Sequence, residues 1–202
     1  MRTRPRGDAG QAFPIYVVMV AGLLFLALAF FAVGKASALR NGSQGAADAA
    51  ALAAAQQARA DFGTGFYASL PGNMLDAFLV APFAAPCYAA ERLADANDAD
   101  KKLCYPTPGY LRDRITVEVK GREPVDSPVL PGSRNKKAKA KATALIEFRC
   151  PNPKAVDFNS DGVQDLFIFT CRNGKILEIA PGSPPPWESV SRTLFDVRLV
   201  DQ

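Results

Sequence analysis

Ala12 to Val33 reads AFPIYVVMVAGLLFLALAFFAV, a stretch without a single charged side chain. About 20 apolar residues rising 1.5 Å each are enough to cross a hydrocarbon core about 30 Å thick. Pro14 stands at the start, where a helix has no use for its missing N–H. Gly22 in the middle is tolerated, because no water competes there for the backbone. Arg2, Arg4 and Arg6 precede the stretch, partly offset by Asp8, while Lys35 and Arg40 come after it. This bias of basic residues predicts a single-pass helix with its N-terminus in the cytoplasm and the remainder of the chain outside it. Two other readings compete. Ala36-Ser37-Ala38 fits a small-x-small site for removal of a secretory signal, although the apolar run is longer than a usual signal core. A buried core helix is the other, and its unbroken apolar surface argues against it in so small a domain. Anchor and signal alike export the remainder of the chain.

The 202 residues leave room for one modest domain beside the anchor. The formal net charge of +4 is too small to indicate nucleic-acid binding, and the basic residues do not form a broad face interleaved with aromatics. Histidine is absent, which removes the commonest general base near neutral pH and the commonest transition-metal ligand. Serine or cysteine nucleophiles paired with histidine are therefore excluded. The expectation is a protein without catalytic activity.

Beyond the span, KASALRNGSQGAADAAALAAAQQARADF runs from Lys35 to Phe62. Alanine is the best helix former, and Gln, Leu and Arg support it. Asn41-Gly42-Ser43 and Gly45 weaken the middle, so a kink or short break is expected there. The segment reads as a helical stalk continuing the membrane helix, with an alanine face that also permits close packing on a partner helix.

Gly10-Gln11-Ala12 leading into the span, followed by Gln44-Gly45-Ala46-Ala47-Asp48-Ala49-Ala50-Ala51-Leu52-Ala53-Ala54-Ala55, resembles the N-terminal region of Flp pilus-assembly TadE/TadG-like proteins. The resemblance covers residues 7 to 60. It implies a membrane-anchored accessory or minor pilin-like component of a Flp/Tad pilus or secretion system, whose partners are the membrane and other pilus-assembly or envelope proteins. Many pilin-like proteins carry Glu five residues after the glycine at which they are processed. Here that residue is Ile15, counted from Gly10.

From Gly63 onward Pro, Gly and aromatic residues become frequent, and all four cysteines lie here. An even cysteine count in an exported segment favours disulfides. Of the three connectivities, nearest-neighbour pairing of Cys87 with Cys104 and of Cys150 with Cys171 is expected. A zinc site is the rival, disfavoured by the lack of C-x-x-C spacing and of histidine. Asn73 to Leu79 and Tyr88 to Ala96 read as short helices. Ile115, Val117 and Val119 alternate with Thr116, Glu118 and Lys120 as in a half-buried strand. In Ala138 to Phe148, Ala140, Ala142, Ala144 and Ile146 face one way, while Lys139, Lys141, Thr143 and Glu147 face the other. The two segments are expected to pair as a hairpin across the proline-rich loop around Pro124 to Gly132. Arg134, Lys136, Lys137, Lys139 and Lys141 read as a solvated strand face opposite Glu118, or else as a patch for acidic envelope polymers. Leu166 to Cys171 and Ile176 to Ile179 flank Arg172-Asn173-Gly174-Lys175, for which Asn-Gly suggests a type I′ turn. Leu194 to Val200 reads as a final strand with Phe195, Val197 and Leu199 inward. The chain thus divides into a basic leader (1–11), a transmembrane helix (12–33), an alanine-rich stalk (34–62) and an exported α+β domain with a mainly antiparallel sheet (63–202).

One stretch carries specific chemistry. Asp157-Phe158-Asn159-Ser160-Asp161-Gly162-Val163-Gln164-Asp165 has the pattern D-x-N-x-D-G-x-x-D. Alternating carboxylates and amides offer hard oxygens to one point, and Gly162 permits a sharp turn. Asp157, Asn159, Asp161 and Asp165, with the peptide oxygen of Val163, are candidate ligands for Ca²⁺. Ile168 stands where an EF-hand needs Glu, which rejects that identity. The spacing is closer to the calcium loops of dockerin-like and integrin-type propeller repeats. The alternative is a polar turn, since Asp, Asn, Ser and Gly are what any exposed loop uses. With such a loop, a tethered cell-surface binding module stiffened by calcium is the second reading of the chain.

Overall fold

A computed structural model describes residues 12–126 and 132–201. The basic leader expected over 1–11 lies outside them, as does most of the proline-rich loop. Helix α1 runs without interruption from Ala12 to Asp61, 50 residues, or about 75 Å. Four short helices come after it: α2 (Gly63–Ser69), α3 (Leu75–Val80), α4 (Cys87–Ala96) and α5 (Trp187–Leu194). A four-stranded antiparallel sheet is built from β1 (Ala99–Thr107), β2 (Arg112–Pro124), β3 (Lys137–Phe148) and β7 (Phe195–Val200), in the order β1-β2-β3-β7. A smaller sheet holds β4 (Lys154–Val156), β5 (Leu166–Thr170) and β6 (Ile176–Ile179). The architecture is α+β, as expected.

The break expected at 41–45 does not occur. Gly42 and Gly45 weaken a helix by about 1 kcal/mol each, but tertiary contacts hold this turn. Ser43 is buried. The Gln44 amide donates to the Asp48 carboxylate at 2.9 Å and to the Lys141 carbonyl of β3 at 3.3 Å. Gly121 of β2 lies so close that a Cβ there would sit 2.7 Å from the Ser43 hydroxyl oxygen. Packing overrides propensity at this point.

The alanine-rich half of α1 is helical, but it does not stand free as a stalk. Ala46, Ala47, Ala50, Ala51, Ala54, Ala55 and Ala58 recur at helical spacing and are all at most 2% exposed. They form one side of the core. Opposite them lie Ile115, Val117 and Val119 of β2 and Ala142, Ala144 and Ile146 of β3, all of them buried. The register pairs Ile115 with Ala144 and Val117 with Ala142. Alanine is a poor strand former. In β3 it is present because two small surfaces, one on the helix and one on the strand, let the backbones approach closely. At its far end α1 runs into a cluster of aromatic rings. The Trp187 indole N–H donates to the Arg59 carbonyl at 2.9 Å, satisfying one of the last free carbonyls of the helix. Gly63 is the close approach that this requires, since a Cβ there would lie 2.7 Å from the Trp187 ring.

The expected hairpin of β2 with β3 forms, with Glu118 opposite Lys141. Its alternation is clean only near the loop. Toward the far end Thr143, Leu145 and Glu147 are buried too, because Glu147 draws three arginines over that face of the sheet. The turn after β5 differs from the type I′ expected. Gly174 alone takes a left-handed φ, +79°, while Asn173 does not. The Gly174 N–H bonds the Cys171 carbonyl and the Cys171 N–H bonds the Lys175 carbonyl, both at 2.9 Å. This is a three-residue loop closed by a glycine bulge. The final strand β7 buries Phe195 and half-buries Val197, but Leu199 is 38% exposed, as befits an edge strand that runs past the aromatic cluster.

Both expected disulfides are present, Cys87–Cys104 and Cys150–Cys171, and no cysteine among the described residues is free. The first ties α4 to β1. The second ties the end of β3 to the end of β5 and so joins the two sheets. With a sequence separation of 21 residues between its cysteines, loss of the second bridge by Cys150→Ser and Cys171→Ser should cost about 3 kcal/mol. Urea unfolding of the variant should show a lower midpoint and a somewhat steeper slope, because the freed unfolded chain exposes more surface.

Candidate functional site

The feature that stands out is the division of labour along α1. From Phe13 to Val33 nearly every large apolar side chain is exposed, with Phe13, Phe30 and Phe31 at 73–75%. A continuous apolar surface of this size needs an apolar solvent or a partner. Of the described helices, this one is long and apolar enough to cross a membrane. Covering of the same helix begins at Ala32, Lys35 and Ala36 are half-buried, and from Ala46 its small face is core. The candidate span and the domain therefore share one continuous helix with no linker between them.

The stretch 157–165 joins β4 to β5 and is closed at its base by the Asp165 N–H bonding the Val156 carbonyl at 2.8 Å. Beside that base the loop docks on the turn between α2 and α3 through the Gln164 N–H and the Pro71 carbonyl, 2.9 Å. Inside the loop the candidate ligands serve the backbone. Asp157 accepts from the Ser160 N–H at 2.7 Å and the Gly162 N–H at 2.9 Å. The Gly162 N–H, chiefly, holds the Asp157 carboxyl below its usual range. Asn159 accepts from the Asp161 N–H and donates to the Asp161 carboxylate, 3.0 and 2.9 Å. Asp161 also accepts from the Val163 N–H at 2.8 Å, and Asp165 from the Phe158 N–H at 2.8 Å. Positive φ at Ser160 (60°) and Gly162 (86°) wraps the chain around these bonds. Among the described residues no three acidic groups converge on a point where they could share an ion. The five candidate residues are brought into one loop, where the side chains of Asp157, Asn159, Asp161 and Asp165 also form its turns. Melting in EDTA and in millimolar Ca²⁺ should thus give the same temperature. A rise with calcium that Asp161→Ala abolishes would instead establish the five-ligand site.

Two further carboxylates have unusual surroundings. Glu147, with its side chain 7% exposed, meets Arg112 at 2.9 Å, Arg172 at 2.8 Å and Arg198 at 2.7 Å. Burial alone would raise its pKa. The hydrogen bonds and charges of Arg198 and Arg112 outweigh that and hold it down to about 2. The three arginines come from β2, the β5–β6 loop and β7, so one buried acid links both sheets.

Asp113 borders an apolar recess lined by Phe62, Phe78, Leu79, Phe83 and Phe195. Burial pushes its carboxyl up to about 6, against the opposing hydrogen bond from the Gly109 N–H at 3.0 Å. A carboxyl whose folded pKa exceeds its unfolded value of 3.8 takes up protons on folding. Its contribution to stability is therefore full below pH 3.8 and is lost as pH rises toward about 6. Asp113→Asn is expected to stabilise the fold at pH 7.5 by on the order of 1 kcal/mol after allowance for partial exposure, read as a higher melting temperature. Melting curves from pH 4 to 7.5 should lose that part of their slope in the variant.

The helix shared by the candidate span and the domain also carries the chain's likeness to known proteins. The family model described as Flp pilus-assembly TadE/G-like matches residues 10–57. The TadE/G-like segment is thus the apolar half of α1 together with nearly all of the alanine face that forms the core. No curated protein and no solved structure matches the chain.

Sequence reasoning overlooked several contributors to this arrangement. Glu147 appeared only as a polar member of an alternating strand. Its signal is visible in retrospect: a lone acid at the end of a strand that has basic residues on its neighbours. Trp187 and Gly63 carry none in sequence, since the chain reveals nothing of a ring folding back over 120 residues to meet a glycine.

Proposed function

We propose that this chain is a membrane-anchored, extracytoplasmic component of a Flp/Tad-type pilus assembly or secretion system, acting as an accessory or minor pilin-like protein without catalytic activity. The observation that carries the reading is the coincidence of the 10–57 match with one continuous helix that is exposed and apolar in its first half and core-forming in its second. Two disulfides favour an oxidising compartment for the domain. The three leading arginines favour a cytoplasmic N-terminus. Ile15, where many pilin-like proteins have Glu, favours an accessory role over a filament subunit. Its partners in this reading are the membrane and other pilus-assembly proteins meeting the exposed apolar half of α1. The calcium-stiffened binding module has less support, because the carboxylates of 157–165 are engaged by the loop's own N–H groups.

An in-frame deletion with complementation tests the role. The expected result is loss of surface pili with pilin still made and retained in the cell, restored by the full chain. Unchanged piliation in the deletion strain would refute it. Detergent-solubilised protein should also retrieve membrane-embedded assembly proteins rather than envelope polymers.

A further inference from the structure

We infer that the end of the β2–β3 hairpin nearest the anchor rests on anionic lipid headgroups of the leaflet facing the domain, through Arg134, Lys136, Lys137 and Lys139; this rests on the reading of Ala12 to Val33 as a membrane span.

The position of the hairpin is set by its contacts with α1. Gly121 lies against Ser43, and two residues further along β2 the Glu123 carboxylate pairs with Lys35 at 3.4 Å. The strand thus descends alongside α1 toward the span. The hairpin continues past this level, since the Val125 N–H bonds the Lys136 carbonyl at 2.9 Å. Lys35 is two residues beyond Val33, or about 3 Å along the axis. The headgroup layer is about 5–8 Å deep on each side of the hydrocarbon. Ala32, in the last turn of the span, is 4% exposed where Phe30, Phe31 and Val33 are 63–75% exposed. Residues 123–126 and 134–137 of the hairpin therefore lie at headgroup depth, with Lys139 one pair above them and its long stem reaching down.

Its charge fits that place. Between Lys120 and Lys141 there are seven basic residues and two acidic ones, Glu123 and Asp126. Glu123 is occupied by Lys35, and Arg122 by Asp95 and Asp100. Arg134, Lys136, Lys137 and Lys139 are exposed and, among the described residues, form no ion pair. Alternation in β3 puts Lys137 and Lys139 on the sheet face away from α1, while Ala140 and Ala142 turn toward it. Flexible lysine stems adapt to a fluid anionic surface without fixed partners. Basic residues close to a bilayer are drawn to its anionic lipids within about a Debye length. Being far downstream of the span, these residues do not enter the charge balance that orients it. Such a contact adds a second foothold beside the helix and would set the tilt of the domain over the membrane.

The test uses the full chain in nanodiscs of phosphatidylcholine alone or with one third phosphatidylglycerol, followed by amide hydrogen exchange. Exchange over 119–126 and 132–141 should be slower by about five- to tenfold in the anionic discs, with β5 and β6 unchanged. The difference should vanish in 0.5 M salt and in the variant Arg134→Gln, Lys136→Gln, Lys137→Gln, Lys139→Gln. Equal exchange in both discs would overturn the inference while leaving the anchor intact. Equal slowing by soluble polyphosphate in neutral discs would overturn it too, by assigning the patch to a soluble polyanion. Failure of the chain to enter either disc would refute the span, and the inference with it.

Discussion

Leucine in place of both Ala50 and Ala54 is expected to destabilise the domain by about 2–6 kcal/mol, from about 1–3 kcal/mol per overpacked site. Both alanines are 0% exposed and lie one turn apart on the face of α1 that meets β2 and β3. There is no room between two alanine surfaces for an isobutyl group, so the helix must lift from the sheet. The sites are neighbours, and their effects will couple rather than add. Against a total stability of about 5–15 kcal/mol, the double variant should be largely unfolded at moderate urea. Gln56→Leu, on the exposed side of the same helix, should change stability by less than about 0.5 kcal/mol. Leucine is nearly as good a helix former as alanine. A free-standing helical stalk would therefore tolerate all three changes alike, and equal stability of the two variants would contradict a core shared between helix and sheet.

Glu147→Gln should be nearly as damaging, at about 3–4 kcal/mol, in the lower part of the range for breaking a buried ion pair. The arginines around it are half-exposed and can turn to solvent, which limits the loss. The amide that replaces the carboxylate keeps the shape and removes the charge. The pH dependence has a definite sign. Glu147 is held at about 2 in the fold against an ordinary 4.5, so its stabilisation is full above pH 4.5 and disappears as pH falls toward 2. Acid titration followed by tryptophan fluorescence should show a transition in that window that Glu147→Gln lacks.

What was legible in the sequence was what periodicity and composition encode. The span, the helical alanine segment, the β2–β3 hairpin and the two short helices near residues 75 and 88 all announce themselves in local patterns. The disulfide pairing came from spacing. The fate of the alanine helix did not, because a face of small residues is as suited to a partner as to the chain's own sheet. Only the alanines of β3, poor strand formers at alternating positions, hinted that another backbone comes close. Strand β1 escaped notice because ADKKLCYPT mixes charges with a proline and alternates poorly. It is an edge strand, covered by α4 and held by the Cys87–Cys104 bridge. Helix α5 was hidden behind the Pro184-Pro185-Pro186 run that precedes it. The 157–165 stretch shows the reverse: a strong local pattern whose oxygens, in the fold, are engaged by the loop's own N–H groups.

That α1 crosses the membrane and holds its domain outside the cytoplasm is tested most directly by labelling intact spheroplasts with a membrane-impermeant maleimide. The native cysteines are all in disulfides, so a cysteine introduced at exposed Ser183 or at Thr3 of the leader reports alone. The prediction is that Ser183→Cys is labelled in intact spheroplasts and Thr3→Cys only after permeabilisation, with the chain retained in carbonate-washed membranes. The opposite labelling, or a soluble chain lacking its first helix, would contradict it.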